Sequence, residues 1–286
     1  MKHPAFKHLL ESAVKEAASV LAGFHLPLQD GTMCTVIFAT GVWPDAPLVV
    51  ASNRDERLGR ASEAPRLHRW GDREVLAPRD LEAGGSWLGI NDAGVFVAIT
   101  NRFVMHSDPR RKSRGALVRA ALEQGSLREA VACAEGFQPR EYNPFHLLIA
   151  DREAAHCVWS DGDRLEVFAF NAGVHVLTER SFHAAPSERL DRWRDRLDGL
   201  AAEEEPTRSQ WQDFLGEHSA SSLEGTCVHW PERDYGTRSS FLLRLGRSTV
   251  DAEWSEGPAC TGEFQSLAEE LKGLAQRGSA VPSVDR

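Results

Sequence analysis

The amino-acid sequence predicts an α+β protein built mainly from antiparallel sheets, and three observations carry that expectation. Strand-like runs come in clusters rather than in strict alternation with helical ones. The clusters follow one another as strands, helices, strands, helices, strands and a last helix. Residues 34–272 contain no internal repeat and no low-complexity linker, so a single domain accounts for them. Helix layers over a two-sheet sandwich accommodate this order.

Taken from the start, residues 5–22 place Phe6, Leu9, Leu10, Ala13, Val14, Ala17 and Leu21 at helical spacing. "LPLQDGT" breaks the pattern at Pro27 and Gly31, and Met33 stands immediately before Cys34. Residues 1–32 therefore read as a weakly helical leader or as a stretch upstream of the true initiator, Met33. From Cys34 the pattern turns to β. "CTVIFAT" and "PLVVAS" are apolar and β-branched, joined by a turn with Pro44, Asp45 and Pro47. "SWLGIND" and "GVFVAIT" form a hairpin about Asp92, Ala93 and Gly94. Helices follow over "RGALVRAALEQG" and "LREAVACAEG", closed by Gly125 and Gly136. "PFHLLIAD", "AHCVWSD", "RLEVFAF" and "GVHVLTE" are four more strands, followed by helices over 187–200 and 209–216. "GTCVHW" and "RSSFLLRLG" are strands, 266–276 is a helix, and 273–286 leads into a polar tail.

Composition narrows the function classes. A hydrophobic fraction of 42% and a charged fraction of 26% give enough apolar surface for a core. The formal net charge of −9 opposes non-specific attraction to nucleic acid or an anionic membrane. No run approaches 18 apolar residues, so stable membrane insertion is not expected. Lys15 and Glu16 interrupt the apolar part of the leader, which argues against a secretory signal. The five cysteines are odd in number and include no CxxC pair, which points to reduced thiols and a cytoplasmic protein. The histidines show no HExxH and no paired spacing at helical or strand intervals, so no metal site is expected. A haem ligand needs only one His or Cys, which leaves His146, His175, His183 and His229 as candidates.

Five places carry chemistry. Cys34 is a nucleophile only as thiolate. Were it the first residue, its own α-amine, with a reference pKa of about 7.7–8.0, could take the thiol proton. The alternative is a buried strand cysteine acting as a small hydrophobe. "SNRDE" puts Asn53, Arg54, Asp55 and Glu56 directly after an apolar strand. Strand geometry sends Asn53 and Asp55 one way and Arg54 and Glu56 the other, so one pair lines a pocket and the other forms ion pairs, unless the run is a solvated turn. "AGGSWLGIND" offers Gly84 and Gly85 for unusual backbone or close approach, and Trp87 as a pocket wall; a plain tight turn is the alternative. Asn101, in "AITNRF", ends a strand where a carboxamide can donate to an oxyanion. Arg238, in "YGTRSS", can bind an anion or orient a carboxylate.

"MCT", "NRDE", "RDLEAGGSWLGIND", "TNR", "SRG", "YNPFHLL" and "YGTRSS" occur in the order seen in the NRDE family, and the chain resembles that family over most of residues 33–245. The family includes the transport and Golgi organisation protein 2 of animals and is similar to N-terminal-nucleophile hydrolases, the choloylglycine hydrolase and penicillin V acylase group above all. The resemblance implies a four-layer αββα fold and cleavage of amide or acyl bonds. It implies Cys34 as nucleophile, Arg54 and Asp55 as its supports, Asn101 at the oxyanion and Arg238 as the late arginine. Asn53, Glu56, Trp87 and Asn171 are the implied substrate-binding positions. The hydrolases carry a further Asn in a "TN" pair where this chain has Thr178-Glu179, so Asn171 would have to substitute or that contact is missing. No resident cofactor is implied. The partner is a small amide, acyl or haem-like molecule, and the alternative to catalysis is haem or lipid/acyl-CoA binding and trafficking.

Overall fold

A computed structural model describes residues 34–185, 187–220 and 224–278. The expected leader over 1–32, its helical stripe and Met33 lie outside the described residues. Two antiparallel sheets pack face to face, with helices on both outer surfaces.

The first sheet contains β1 (Thr35–Trp43), β2 (Ala46–Arg57), β10 (Gly173–Leu177), β11 (His229–Trp230), β12 (Tyr235–Leu245), β13 (Val250–Glu256) and β14 (Phe264–Ser266). Its order is β10-β1-β2-β12-β13-β14, with β11 paired to β12. The second contains β3 (Ser62–Trp70), β4 (Arg73–Asp80), β5 (Leu88–Asn91), β6 (Phe96–Asn101), β7 (Phe145–Ala150), β8 (Ala155–Ser160) and β9 (Leu165–Ala169), ordered as they occur in the chain. Alternation along the strands separates three cores. Val36, Phe38, Leu48 and Val50 meet Leu76, Phe96 and Leu148 between the sheets. Ile37, Ala39, Val49 and Ala51 face outward onto α3 (Glu188–Ala202) and α4 (Arg208–Leu215). Val75, Val97, Leu147 and Ile149 face α1 (Gly115–Leu122) and α2 (Leu127–Glu135) on the opposite surface. The layers are therefore α, β, β, α, as the resemblance implied. Fully buried Phe38, Phe96 and Phe145 each contribute about 1.5–3 kcal/mol by leaving water.

The helices begin where local chemistry permits. Ser126 accepts a hydrogen bond from the Glu129 N–H at the start of α2, and Ser187 does the same for Leu190 in α3. Thr207 and Gln210 form a reciprocal capping box at α4. The last helix, α5 (Ala268–Gly278), packs against β3, β4 and β13, where Leu271 and Leu274 join the core between the sheets. It occupies the first part of the expected tail, and the rest of that tail lies outside the described residues.

Three departures from expectation have physical causes. The hairpin β3–β4 has no counterpart in the sequence reading. β3 is an edge strand with Pro65 at a register shift, and only Pro65 and Trp70 of its nine residues are buried, so its apolar periodicity is weak. β2 does not end before its polar run but continues to Arg57, because β12 pairs with it along its length. "GTCVHW" contributes only the two-residue β11, and β13 and β14 extend the sheet beyond what periodicity indicates.

Candidate active site

The polar end of the first sheet gathers around Cys34, the residue preceding β1. Thr35 pairs with Asn53 across β1 and β2, while Thr237 and Ser239 of β12 flank Asp55 and Arg54 on the other side. Alternation puts Thr35, Asn53 and Asp55 toward α3 and α4, and Arg54 and Glu56 on the face between the sheets. The sequence predicted that division; the solvated turn it weighed as an alternative does not form, since Ser52 to Asp55 are all buried.

On the outer face, Asp55 is fully buried and accepts a 2.6 Å hydrogen bond from Thr237 Oγ1. Burial pushes its carboxyl up to about 7, against the Thr237 hydrogen bond and the charge of Arg189. Arg189 is itself 1% exposed, in the first turn of α3. It pairs with Glu179 Oε2 at 2.6 Å and donates to Thr35 Oγ1 at 3.2 Å. Glu179, where the sequence resemblance implied an Asn, is thus half of a buried ion pair that reaches the first residue of β1.

On the inner face the Arg54 guanidinium lies 4.2 Å above the Trp87 ring, within reach of Glu56 at 3.7 Å and Asp80 at 4.0 Å. Asp80 binds Arg60 at 2.8 Å and accepts from the N–H groups of Glu82 and Ala83. Burial opposes ionisation of Asp80, but Arg60 and those two N–H groups hold it below the usual carboxylate range. "NRDE" and "RDLEAGG", 20 or more residues apart in sequence, therefore meet in one charged network. Gly85 serves the close approach its sequence allowed, though to backbone: a Cβ there would stand 2.6 Å from the Gly115 carbonyl carbon. Trp87 also packs against Trp254, with ring centroids 6.0 Å apart.

Cys34 is buried, and its Sγ lies 3.8 Å from the Asp55 carbonyl oxygen. Burial lifts the thiol to about 12, and the Asp55 charge adds to the lift.

Other expected residues sort differently. Asn101 ends β6, and two residues later the Phe103 N–H donates to the Glu179 carbonyl at 2.7 Å, tying that strand end to the ion pair. Arg238 occupies the register shift between Thr237 and Ser239, level with Asp55 and Arg54, and its Nε is buried without a partner among the described residues. Asn53 does not face a substrate position. Both its amide hydrogens are used, on the carbonyls of Leu215 and Thr226, and its oxygen accepts from Ser240 Oγ. Asn171 does not substitute for the missing amide. It is exposed beyond Gly173, which pairs with Thr40, whereas Leu177 near Glu179 pairs with Val36. The length of β10 separates the two, about 3.3 Å per residue.

Among the histidines, burial pushes His146 down to about 3, with Arg102 adding to the effect; both ring nitrogens are engaged, by Thr100 and Arg102. His146 has no nitrogen left for iron. His175 spends Nε2 on the Asn171 carbonyl. Sequence reasoning did not single out Arg189 or Thr237. A lone Arg in a helix with many charges carries no signal, and Thr237 stood unnoticed beside Arg238.

Comparison with known proteins follows the same lines. The sequence model of the Transport and Golgi organisation 2 family matches residues 33–256. The Transport and Golgi organization protein 2 homolog of Bos taurus is 32% identical over 247 residues, covering 74% of this chain and 88% of that protein. The Mus musculus homolog is 32% identical over 158 residues, 51% of this chain. The chain spans about half the length of the mouse and human homologs, 56% and 47%. An N-acylethanolamine-hydrolyzing acid amidase ortholog of Caenorhabditis elegans superposes with a TM-score of 0.53 at 14% identity, covering 73% of this chain and 92% of the other. A variant of the conjugated bile acid hydrolase of Clostridium perfringens gives 0.53 at 11% identity, covering 82% and 97%. Identities this low show a shared fold alone. With the family sequence matched from Met33 through β13 and the αββα sandwich in place, the chain belongs to the Transport and Golgi organisation 2 family, on a fold like that of the N-terminal-nucleophile hydrolases.

Proposed function

We propose that the protein is an N-terminal-cysteine hydrolase of amide or acyl bonds, with Cys34 as nucleophile once it becomes the first residue. One observation carries this reading. Arg54 Nη1, Asp55 Oδ2, Ser52 Oγ, Ser239 Oγ and Arg238 Nε are all buried without a hydrogen-bond partner among the described residues. All five lie on β2 and β12 at the end that holds Cys34. An unpaired buried polar group costs about 1–3 kcal/mol, so their concentration in one place fits a site prepared for charges that arrive later.

Among the described residues the thiol's hydrogen-bond acceptor is the Asp55 backbone carbonyl, which cannot serve as a base. A new α-amine at Cys34, with a pKa of about 7.7–8.0, supplies one. The amine takes the thiol proton, and the thiolate attacks the carbonyl carbon of the substrate. Asn101 and a backbone N–H hold the oxyanion. The amine then returns the proton to the leaving group, and water hydrolyses the resulting thioester. Asp55, with its free oxygen, holds the ammonium form, and Arg54 stands beside the thiol. The family match beginning at Met33 supports this start, because removal of that Met leaves Cys34 first.

The test is a chain initiated at Met33, its intact mass showing Cys34 as first residue. It is then incubated with N-acylethanolamines and conjugated bile acids, the amide classes named for the fold neighbours. Hydrolysis with an acyl adduct on Cys34, lost in Cys34→Ala, is expected. Hydrolysis at the same rate in Cys34→Ala overturns the reading, as does the lack of any adduct across both amide classes.

A second reading, binding of haem or an acyl-CoA-like ligand without turnover, has Glu179 in its favour: a carboxylate cannot donate to an oxyanion. Saturable haem or acyl-CoA binding unaffected by Cys34→Ala, with no turnover, would favour it over catalysis.

A further inference from the structure

A second cluster lies outside this machinery. His218 follows α4, Cys227 and His229 lead into and begin β11, and Cys260 lies in the turn between β13 and β14. One ligand atom from each falls within 4.8 Å of all the others. Cys227 Sγ is 3.5 Å from Cys260 Sγ, and His229 Nε2 is 3.4 Å from Cys227 Sγ and 3.2 Å from Cys260 Sγ. The rings of His218 and His229 lie side by side, with centroids 5.0 Å apart.

We propose that His218, Cys227, His229 and Cys260 form a structural zinc site. Tetrahedral zinc, with Zn–S of about 2.3 Å and Zn–N of about 2.0–2.1 Å, sets its ligand atoms about 3.3–3.8 Å apart. The three separations among Cys227, His229 and Cys260 match that edge length to within a few tenths of an ångström, and the His218 ligand atom lies within 4.8 Å of each of them. Two thiolates and two imidazoles are a ligand set that selects zinc over harder cations, and the thiolates neutralise its charge. Four protein ligands close the coordination sphere, so the ion holds the chain together rather than activating water. Binding displaces the two thiol protons into solvent and leaves both imidazoles neutral.

The backbone independently brings the three segments together. The Cys227 N–H donates to the Glu217 carbonyl at 3.0 Å, and Thr226 Oγ1 reaches the same oxygen at 3.3 Å. A Cβ on Gly225 would stand 2.8 Å from that oxygen, and one on Gly216 would stand 3.4 Å from the Cys260 Cα. The Thr261 and Gly262 N–H groups both close on the Pro258 carbonyl, fixing the turn that carries Cys260.

The consequence reaches the polar end of β2. The residues on either side of Cys227 touch it: Thr226 accepts from Asn53, and the Val228 N–H donates to the Thr237 hydroxyl that binds Asp55. An ion at this position pins the segment that backs Asp55. The expectation of no metal site came from pairing histidines only with each other. The useful pair is Cys227 and His229, two residues apart as strand neighbours, completed by ligands nine residues before and more than thirty after.

The experiment uses the full chain, untagged, made in zinc-supplemented medium and purified under thiol reductant, then dialysed against a weak chelator. Elemental analysis is expected to find about one zinc per chain. Cobalt exchanged into the site should show the visible ligand-field and thiolate charge-transfer bands of a tetrahedral centre. Cys260→Ser, at an exposed position, should fold and retain less than about a tenth of the metal. Alkylation read by peptide mass should find Cys227 and Cys260 protected until a strong chelator is added. Less than about a tenth of a zinc per chain with no cobalt spectrum overturns the proposal. So does a Cys227–Cys260 disulfide in metal-free protein isolated anaerobically, or zinc retained in full by Cys260→Ser.

Discussion

Thr237 and Asp55, separated by 182 positions in the chain, meet at 2.6 Å, and the same Thr237 hydroxyl accepts the Val228 N–H at 2.8 Å. The hydroxyl thus relays between the β11 segment and a fully buried acid. Asp55 and Arg189 are both held by residues remote in sequence, and the consequences can be measured.

Asp55 makes the stability of the full chain depend on pH in an uncommon direction. Its folded pKa of about 7 lies above the unfolded value of 3.8. The folded state therefore holds the extra proton between those values, and stability is withdrawn as pH rises from about 4 through 7. The displacement corresponds to roughly 4 kcal/mol when complete. Asp55→Asn should gain on the wild type in thermal melts between pH 5 and pH 8. An Asn variant that loses ground over that range would show Asp55 ionised and well paired.

Cys34 should be inert to alkylation in the full chain at pH 8, since burial holds its thiol near 12. In a chain that begins at Cys34 the adjacent amine should raise the reaction rate by about tenfold or more. Peptide-resolved labelling with iodoacetamide separates the two. Equal rates would mean that the new terminus does not activate the thiol.

The Arg189–Glu179 pair is buried on both sides, and removing Arg189 leaves Glu179 with only the half-buried Arg180, at 3.3 Å, as its ion partner among the described residues. Arg189→Met should cost about 3–5 kcal/mol in urea unfolding. Pairing it with Glu179→Met should recover part of that loss, because the buried carboxylate is then gone and Arg180, at the surface edge, can turn to solvent. A double variant no more stable than Arg189→Met would show that lost packing, not charge, dominates.

Neighbouring glycines in "AGGSW" should respond differently. Gly85→Ala drives a methyl group into the Gly115 backbone and should cost about 2 kcal/mol or more, with the melting temperature falling accordingly. Gly84→Ala meets no atom within 4 Å and suffers only from its φ of +74°, about 1–2 kcal/mol. Equal losses would mean that the Gly85–Gly115 approach relaxes easily.

By itself the sequence determined the class of fold and most of its elements, and it singled out Cys34 and the residues from Asn53 to Glu56 as candidates. These are local signals. Apolar, β-rich runs mark β1, β7 and β8, Gly136 closes α2 while α1 ends just before Gly125, and strand geometry divides Asn53 and Asp55 from Arg54 and Glu56. The tertiary structure alone decided which of those side chains act together. It turned Asn53 to structural bonds, sent Asn171 to the far end of β10, and brought Arg189 and Glu179 beside Thr35. It also drew His218 and Cys260 to Cys227 and His229. The reason is physical: a charge or ligand takes its meaning from neighbours a few ångströms away, and here those neighbours come from strands and loops as distant as 187 positions, as between Asn53 and Ser240.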